Sequence, residues 1–203
     1  MNLLTRQGKA IKVSHIFVIA GPSGVGKTTV IKQLLETYPE KIVHPLTYTT
    51  RNPRAGEVNG RDMNFIPRSQ FTPRLLDSSF IAHTEYQGEL YGTLKADLLN
   101  PVREGRKVIV AFDVEGVRCL KESGVPATFI YIVPPSLSSV KRWLTIRWPE
   151  GGEEYEKRIQ QASAELSTWH SDKTFQGLFD WALVSTTIEA MSLEMAQIMG
   201  LTR

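Results

Sequence analysis

The eight residues Gly21-Pro22-Ser23-Gly24-Val25-Gly26-Lys27-Thr28 constrain the fold more than any other part of the chain. They satisfy the pattern Gly-x4-Gly-Lys-Thr between an apolar run at 15–20 and a helix-favouring stretch from Lys27 to about Tyr38. A buried strand, a glycine-rich loop and a helix in that order form a phosphate cradle. The glycines let successive N–H groups point inward at phosphate oxygens, and the helix adds its positive N-terminal end. In such a loop Gly21, Ser23, Gly24, Val25, Gly26, Lys27, Thr28 and Thr29 bind the phosphates of ATP. Lys27 is expected to reach the β- and γ-phosphates and Thr28 to ligate Mg²⁺.

The rest of the chain repeats the alternation of apolar runs and helical patterns, which argues for an α/β fold with a parallel sheet and crossover helices. Strands are expected at 107–112, at 127–133 before Pro134-Pro135, and at 181–184. Helices are expected from Val114 to about Glu122 and onward from about Ile188. Two stretches break the rhythm. Residues 46–94 carry Arg, Pro and Gly with short β-like pieces at 64–66 and 80–85 and little helix. Residues 137–168 read as two helices around Arg147-Trp148-Pro149-Glu150-Gly151-Gly152, where Pro and Gly-Gly enforce a break. The expectation is one domain over 1–203, with a core of 13–45, 95–136 and 169–203 and two appended mobile pieces.

Composition narrows the function classes. A chain of 203 residues can bury a core without staples, and its 41% hydrophobic and 22% charged content is ordinary. Net charge is only +3, with basic residues spread along the chain, so no nucleic-acid partner is expected. The single Cys119 excludes an internal disulfide framework and any multi-cysteine metal site. No apolar run approaches the length of a membrane span, and residues 1–12, with Arg6, Lys9 and Lys12, read as a solvated basic lead-in rather than a signal peptide. A cytoplasmic enzyme without membrane contact, monomeric or homodimeric, is the resulting expectation.

Asp113, ending the apolar run 108–112, stands where sheets of this kind meet nucleotide and metal; it also suits the N-cap of the helix that follows. In the stretch 47–65, Arg51 and Arg54 flank a rigid Pro53 in a glycine-bounded loop, with Arg61 nearby. Guanidinium groups held on a stiff turn suit a phosphate monoester, which they grip bidentately.

Taken with the phosphate loop, three more pieces carry a resemblance. They are Thr-Thr-Arg-x-Pro-Arg-x-Gly-Glu-x-x-Gly-x-Asp at 49–62, Gly88-x-x-Tyr91-Gly92-Thr93, and Pro134-Pro135-Ser136. In order and spacing, across about residues 15–170, the chain resembles the guanylate kinases. The resemblance implies a P-loop NTPase core, a small nucleoside-monophosphate-binding region (46–94) and a helical lid (137–168). It implies transfer of the ATP γ-phosphate to GMP, dGMP or a related purine monophosphate. Arg51, Arg54 and Tyr91 would hold the acceptor phosphate, Thr47 and Thr93 the base, with Glu57 and Asp113 on the same substrate side. Arg147 and Arg158 would close over the transferred phosphate, making Lys27, Arg51, Arg147 and Arg158 the catalytic set. The chemistry agrees, since in-line transfer is mainly positioning and charge stabilisation, and a closing lid excludes water.

Departures from the family pattern cluster around the bases. Ala82 stands where the family has a glutamate that accepts hydrogen bonds from guanine, and Ala111 where it usually has aspartate. Met63 replaces a tyrosine, Trp143 an arginine and Ser185 an asparagine. Either another acceptor such as Asp113 reads guanine, or the base is a different one, of 2-aminoadenine type or a modified deoxynucleotide. Two further readings stand beside these. One is a kinase for a phosphorylated sugar; the other is a non-catalytic guanylate-kinase-like binding module, a class that loses the phosphate loop present here.

Overall fold

A computed structural model describes residues 14–86 and 88–201, apart from the side chain of Arg147. The basic lead-in at 1–12 lies outside the described residues. In chain order the elements are β1 (Ile16–Ala20), α1 (Lys27–Thr37), β2 (Ile42–Val43), β3 (Tyr48–Thr49) and β4 (Asn64–Phe65). Then follow α2 (Arg68–Leu76), β5 (Phe80–Tyr86), β6 (Glu89–Leu94), α3 (Lys95–Arg103), β7 (Lys107–Ala111) and α4 (Val114–Glu122). The chain ends with β8 (Thr128–Val133), α5 (Leu137–Arg147), α6 (Glu153–Ser171), α7 (Lys173–Gln176), β9 (Trp181–Val184) and α8 (Ile188–Ile198).

The central sheet runs β2-β7-β1-β8-β9, with every pairing parallel. Each residue of β1 is at most 3% exposed, which requires cover on both faces. Alternation supplies it. Phe17 and Ile19 face α1 and α8 through Ile31, Leu34, Met191 and Met195. Ile16, Val18 and Ala20 face the other way, onto Leu98 of α3, Val117 and Leu120 of α4, and Trp169 of α6. From β1 the neighbouring strands β7 and β8 lie on opposite sides, so its C-terminal end is a switch point where a crevice opens. The phosphate loop occupies that end.

A second sheet, β4-β3-β6-β5, stands beside the first. Its small core joins Phe71, Phe80 and Leu90, with Phe71 stacked on Phe80 at 4.3 Å between centroids. The region 46–94 therefore contains a nine-residue helix, α2, that the sequence reading did not expect. The interior Pro73 hides it, and tertiary packing of the fully buried Phe71 overrides the propensity. Helix α3, which carries Pro101, and strand β6, which carries Gly92, were concealed in the same way.

Helices α5 and α6 form a hairpin around their own cluster of Val140, Leu144, Ile159 and Ala162. Gly151 and Gly152, at φ of 71° and 103°, make the break between them. The hairpin rests on the phosphate loop: a Cβ added to Gly24 would lie 3.2 Å from Leu144 and 3.7 Å from Trp143. Trp143 packs against both the hairpin cluster and the central core. At its far end α6 runs past residue 168 to Ser171, and Trp169 stacks on Tyr131 of β8 with centroids 4.5 Å apart and planes at 7°.

Where β1 gives way to the loop, the backbone of Gly21 passes close to β8. Its φ is 142°, and an added Cβ would meet the Ile132 carbonyl oxygen at 2.5 Å. Gly21→Ala is accordingly expected to cost about 1–3 kcal/mol, or roughly 2–10 °C in Tm, because a backbone oxygen in a central strand cannot step aside. A thermal melt of variant against wild type checks this.

Candidate active site

The phosphate loop is fastened on three sides. Ser185, at the end of β9, donates its hydroxyl to the Val25 carbonyl at 3.1 Å, and the Val25 side chain is buried in the core. Ile188 and Met191 of α8 sit below Gly26, and Leu144 of α5 sits over Gly24. Ser185 is thus spent on the loop backbone, and Trp143 on packing. Thr28 and Thr29 are exposed at the first turn of α1.

Lys27 folds back inside the loop, donating to the carbonyls of Gly21 at 2.5 Å and Pro22 at 2.8 Å. The residue as a whole is partly exposed, but its ammonium lies deep in the crevice. Burial lowers its pKa from 10.5 to about 8, Arg158 pushing the same way and Glu165 and Asp113 opposing.

Facing the loop, residues 51–63 form an arginine-bearing turn. Glu57 takes both guanidinium nitrogens of Arg51, at 2.6 and 2.8 Å, and also accepts from the backbone N–H of Arg54 at 2.7 Å. Arg51 donates further to the Asn52 carbonyl at 2.9 Å and lies 5.2 Å from the Phe65 ring centroid, with Met63 sulfur at 3.4 Å. Tyr91 also interacts with Arg51. The neighbouring Arg61–Asp62 pair is exposed, and Asp62 accepts from the Val58 N–H at 2.9 Å to close the turn.

These parts line a single cleft of about 680 Å³. Gly21, Ser23 and Lys27 come from the phosphate loop; Thr47, Arg51, Arg54, Tyr91 and Thr93 from the second-sheet region. Asp113 comes from the end of β7 and Arg158 from α6. So the structure brings ten of the sequence-expected residues to one space. Asp113 also caps α4, accepting from the Gly116 N–H at 2.7 Å, so both roles considered for it are compatible. Arg158 pairs with Glu154 at 2.8–2.9 Å while its guanidinium lies 5.6 Å from the Tyr86 ring centroid.

Other expected residues stand elsewhere. Gly24, Val25, Gly26, Thr28 and Thr29 are in the loop but do not line the cleft. Glu57, expected on the substrate side, does not line it either: its carboxylate is used to hold Arg51 and the Arg54 backbone. The Arg147 side chain lies outside the described residues. Conversely, His83, Thr84, Tyr86, Gln161 and Glu165 line the cleft without having been singled out as site residues. Period-two alternation along β5 relates Ala82, Thr84 and Tyr86, and the spacing of Arg158 and Glu165 on one helical face could have found Glu165.

Part of the wall is lined by uncharged side chains. Ala82 and Ala111 both line it, beside Thr47, Thr84 and Thr93. Glu85, offset by three residues from Ala82, does not. Among the described residues no cluster of three or more His, Cys, Asp or Glu could cage a metal, and no helix is long and apolar enough to cross a membrane.

Comparison with known proteins points one way. The guanylate kinase family model matches residues 13–200. A guanylate kinase of Clostridium perfringens is 32% identical over 189 residues, 93% of this chain and 82% of that protein. One of Thermus thermophilus is 35% identical over 175 residues, 86% of this chain and 76% of that one. Guanylate kinase 1 of rice is 35% identical over 184 residues, although the match spans 47% of the rice protein's length. The crystal structure of a guanylate kinase from Anaplasma phagocytophilum superposes with a TM-score of 0.69 at 27% identity, over 93% of this chain and 85% of that one.

The Arg51–Glu57 pair makes a pH prediction. Its bond to Arg51 is the main reason the Glu57 carboxyl falls from 4.5 to about 2, with the Arg54 N–H adding to the shift. Because the folded pKa is depressed, the pair stabilises the fold above pH 4.5 and loses that contribution as pH falls through about 2. Wild type is expected to melt above Glu57→Gln at pH 6, and the gap in Tm to close as the pH is taken down to the folded pKa.

Proposed function

The chain belongs to the guanylate kinase family, an ATP-dependent phosphotransferase family, and we propose that it transfers the γ-phosphate of ATP to a purine nucleoside monophosphate. The observation that carries this reading is the cleft itself, which joins the phosphate loop with Lys27 to the turn carrying Arg51 and Arg54. In the proposed division, residues 21–29 bind ATP, region 46–94 binds the acceptor, and the α5–α6 hairpin with Arg147 and Arg158 is the lid.

The chemistry follows from charge. An acceptor phosphate oxygen forms a bond to the γ-phosphorus as the bond to the ADP leaving oxygen breaks. The acceptor phosphate is largely dianionic at neutral pH, so its attack needs no general base from the protein. What it needs is alignment of two mutually repelling anions. Lys27 leaves its two carbonyls for the β- and γ-phosphates, while Arg51, Arg54 and Tyr91 fix the acceptor. Arg158 adds charge from the lid side and α5–α6 excludes water. Mg²⁺ fits this arrangement without a protein cage, since it retains waters and rides on the nucleotide; the exposed Thr28 hydroxyl would ligate it. When bound, it neutralises charge on the transferred phosphates.

GMP or dGMP is the first acceptor to test, on family grounds. A second reading has its own observation: positions 82 and 111 line the cleft as alanines and offer no carboxylate to the ring N–H and amine of guanine, the acceptors left in the cleft including the hydroxyls of Thr47, Thr84 and Thr93 and the Asp113 carboxylate. A site built on such bonds discriminates by about 10⁴ or more, and one without them does not. A base presenting an acceptor at that ring nitrogen, as in a 2-aminoadenine or other modified deoxynucleoside monophosphate, needs no carboxylate there. A non-catalytic binding module is disfavoured, because the whole loop with Lys27 and Thr28 is retained.

Turnover measured over GMP, dGMP, AMP, dTMP and modified purine monophosphates checks the assignment. With neutral groups reading the base, kcat/KM for GMP is expected within about tenfold of the best competing purine. A preference for GMP of 10⁴ or more would contradict the uncharged reader, and no turnover of any monophosphate would contradict the kinase reading.

A further inference from the structure

Tyr86 and Arg158 come from different parts of the cleft, the second sheet and the α5–α6 hairpin, and they touch. Tyr86 is the last residue of β5, and period-two alternation puts it on one strand face with Ala82 and Thr84, all three lining the cleft. The guanidinium of Arg158 lies over its ring, 5.6 Å from the centroid.

Arg158 has a second partner. Its Nε donates to Glu154 at 2.9 Å, and its Nη2 lies 2.8 Å from the same carboxylate oxygen. Glu154 stands one helical turn earlier on α6, so this pair moves with the helix and fixes nothing across the cleft. Of the two contacts, the one with Tyr86 ties the guanidinium to another element. Lys157, the adjacent cation, pairs with Glu153 and does not line the cleft.

The two contacts also use different parts of the guanidinium. Its N–H donors all lie in the plane and its faces carry none, so a carboxylate takes an edge and an aromatic ring takes a face. A phosphate oxygen binds at an edge as well. It therefore competes with Glu154 and not with Tyr86. The ring attracts the cation through its quadrupole without neutralising it, so the charge stays available to an incoming anion.

We propose that Tyr86 is a positioning residue: its ring holds the Arg158 guanidinium by the face, so that the edge now on Glu154 can pass to the phosphate being transferred. The inference rests on the reading of Arg158 as a lid arginine of a kinase. It adds a residue of region 46–94 that acts on the transfer step through the hairpin, without touching either nucleotide.

The test uses the full chain as wild type, Tyr86→Leu and Tyr86→Phe, each also combined with Arg158→Ala. Leucine keeps apolar bulk and removes the π face; phenylalanine keeps the face and removes the hydroxyl. Tyr86→Leu is expected to lower kcat about fivefold with both KM values within about twofold of wild type, and Tyr86→Phe to keep kcat within about twofold. On the Arg158→Ala background the leucine substitution is expected to change kcat by less than about 1.5-fold, since a residue acting through Arg158 has nothing left to act on. In the free protein, the Arg158 side-chain protons, assigned by their absence from Arg158→Ala, are expected upfield of their random-coil positions in wild type and Tyr86→Phe, through the ring current. Equal losses from Tyr86→Leu with and without Arg158 mark a merely structural role and overturn the proposal. So do an unchanged kcat in Tyr86→Leu, a fivefold loss in Tyr86→Phe, or Arg158 protons at random-coil positions in wild type; the last two are read even where the leucine variant does not fold. Failure here is distinct from failure of the kinase reading: these outcomes in an active wild type overturn the positioning role alone, whereas a wild type inactive toward every monophosphate overturns the kinase reading.

Discussion

Gly21 passes so close to the Ile132 carbonyl that no side chain fits between them, and this contact sets where the phosphate loop begins. Because β1 is buried on both faces between β7 and β8, its C-terminal end has nowhere to go but into the crevice between the two halves of the sheet. The loop is then clamped by Ser185 just after β9, Ile188 at the start of α8 and Leu144 of α5. Strand order, core and hairpin therefore meet at one short stretch of backbone. Loosening any of them would move the groups that are to face phosphate, and a displacement of about 1 Å costs roughly 10²-fold in rate.

A second theme is that three cationic groups of the cleft have partners within the protein. Arg51 is gripped by Glu57, Arg158 by Glu154 and the face of Tyr86, and Lys27 by two carbonyls with Glu165 nearby. Such pairing keeps the guanidinium groups from scattering, so less ordering remains to be done when phosphate arrives. It also means that phosphates must compete for Arg158 and Lys27. The Glu57 contact differs: it fixes Arg51 and the Arg54 backbone together, behind the surface that faces the cleft, and shapes the turn rather than blocking it.

Much of this was legible in the chain. The parallel core could be read because β1, β7 and β8 are unbroken apolar runs, and the hairpin because Pro149 and Gly151-Gly152 punctuate it. The motif at 49–62 located the arginine turn for the same reason, since Pro and Gly leave few backbone choices. What stayed hidden depended on tertiary contact. Helix α2 forms around Pro73 because Phe71 finds Phe80, and no local pattern announces that. Glu57 looked like a substrate ligand because a carboxylate in a substrate motif carries no mark of the partner it will choose. Glu165 was passed over because its neighbours, Lys27 and Tyr131, are distant in sequence. The absence of carboxylate at Ala82 and Ala111 was visible; which base suits the resulting wall is a question of fit between surfaces, not of sequence.

The account stands on the division of one cleft into a donor half on the phosphate loop and an acceptor half on the arginine turn. Steady-state kinetics of Arg51→Ala, with ATP and the acceptor varied in turn, probe that division most directly. The acceptor KM is expected to rise by about tenfold or more, through loss of a charge-assisted bidentate contact, while the KM for ATP stays within about twofold. Collapse of ATP affinity, with the acceptor KM unchanged, would contradict it.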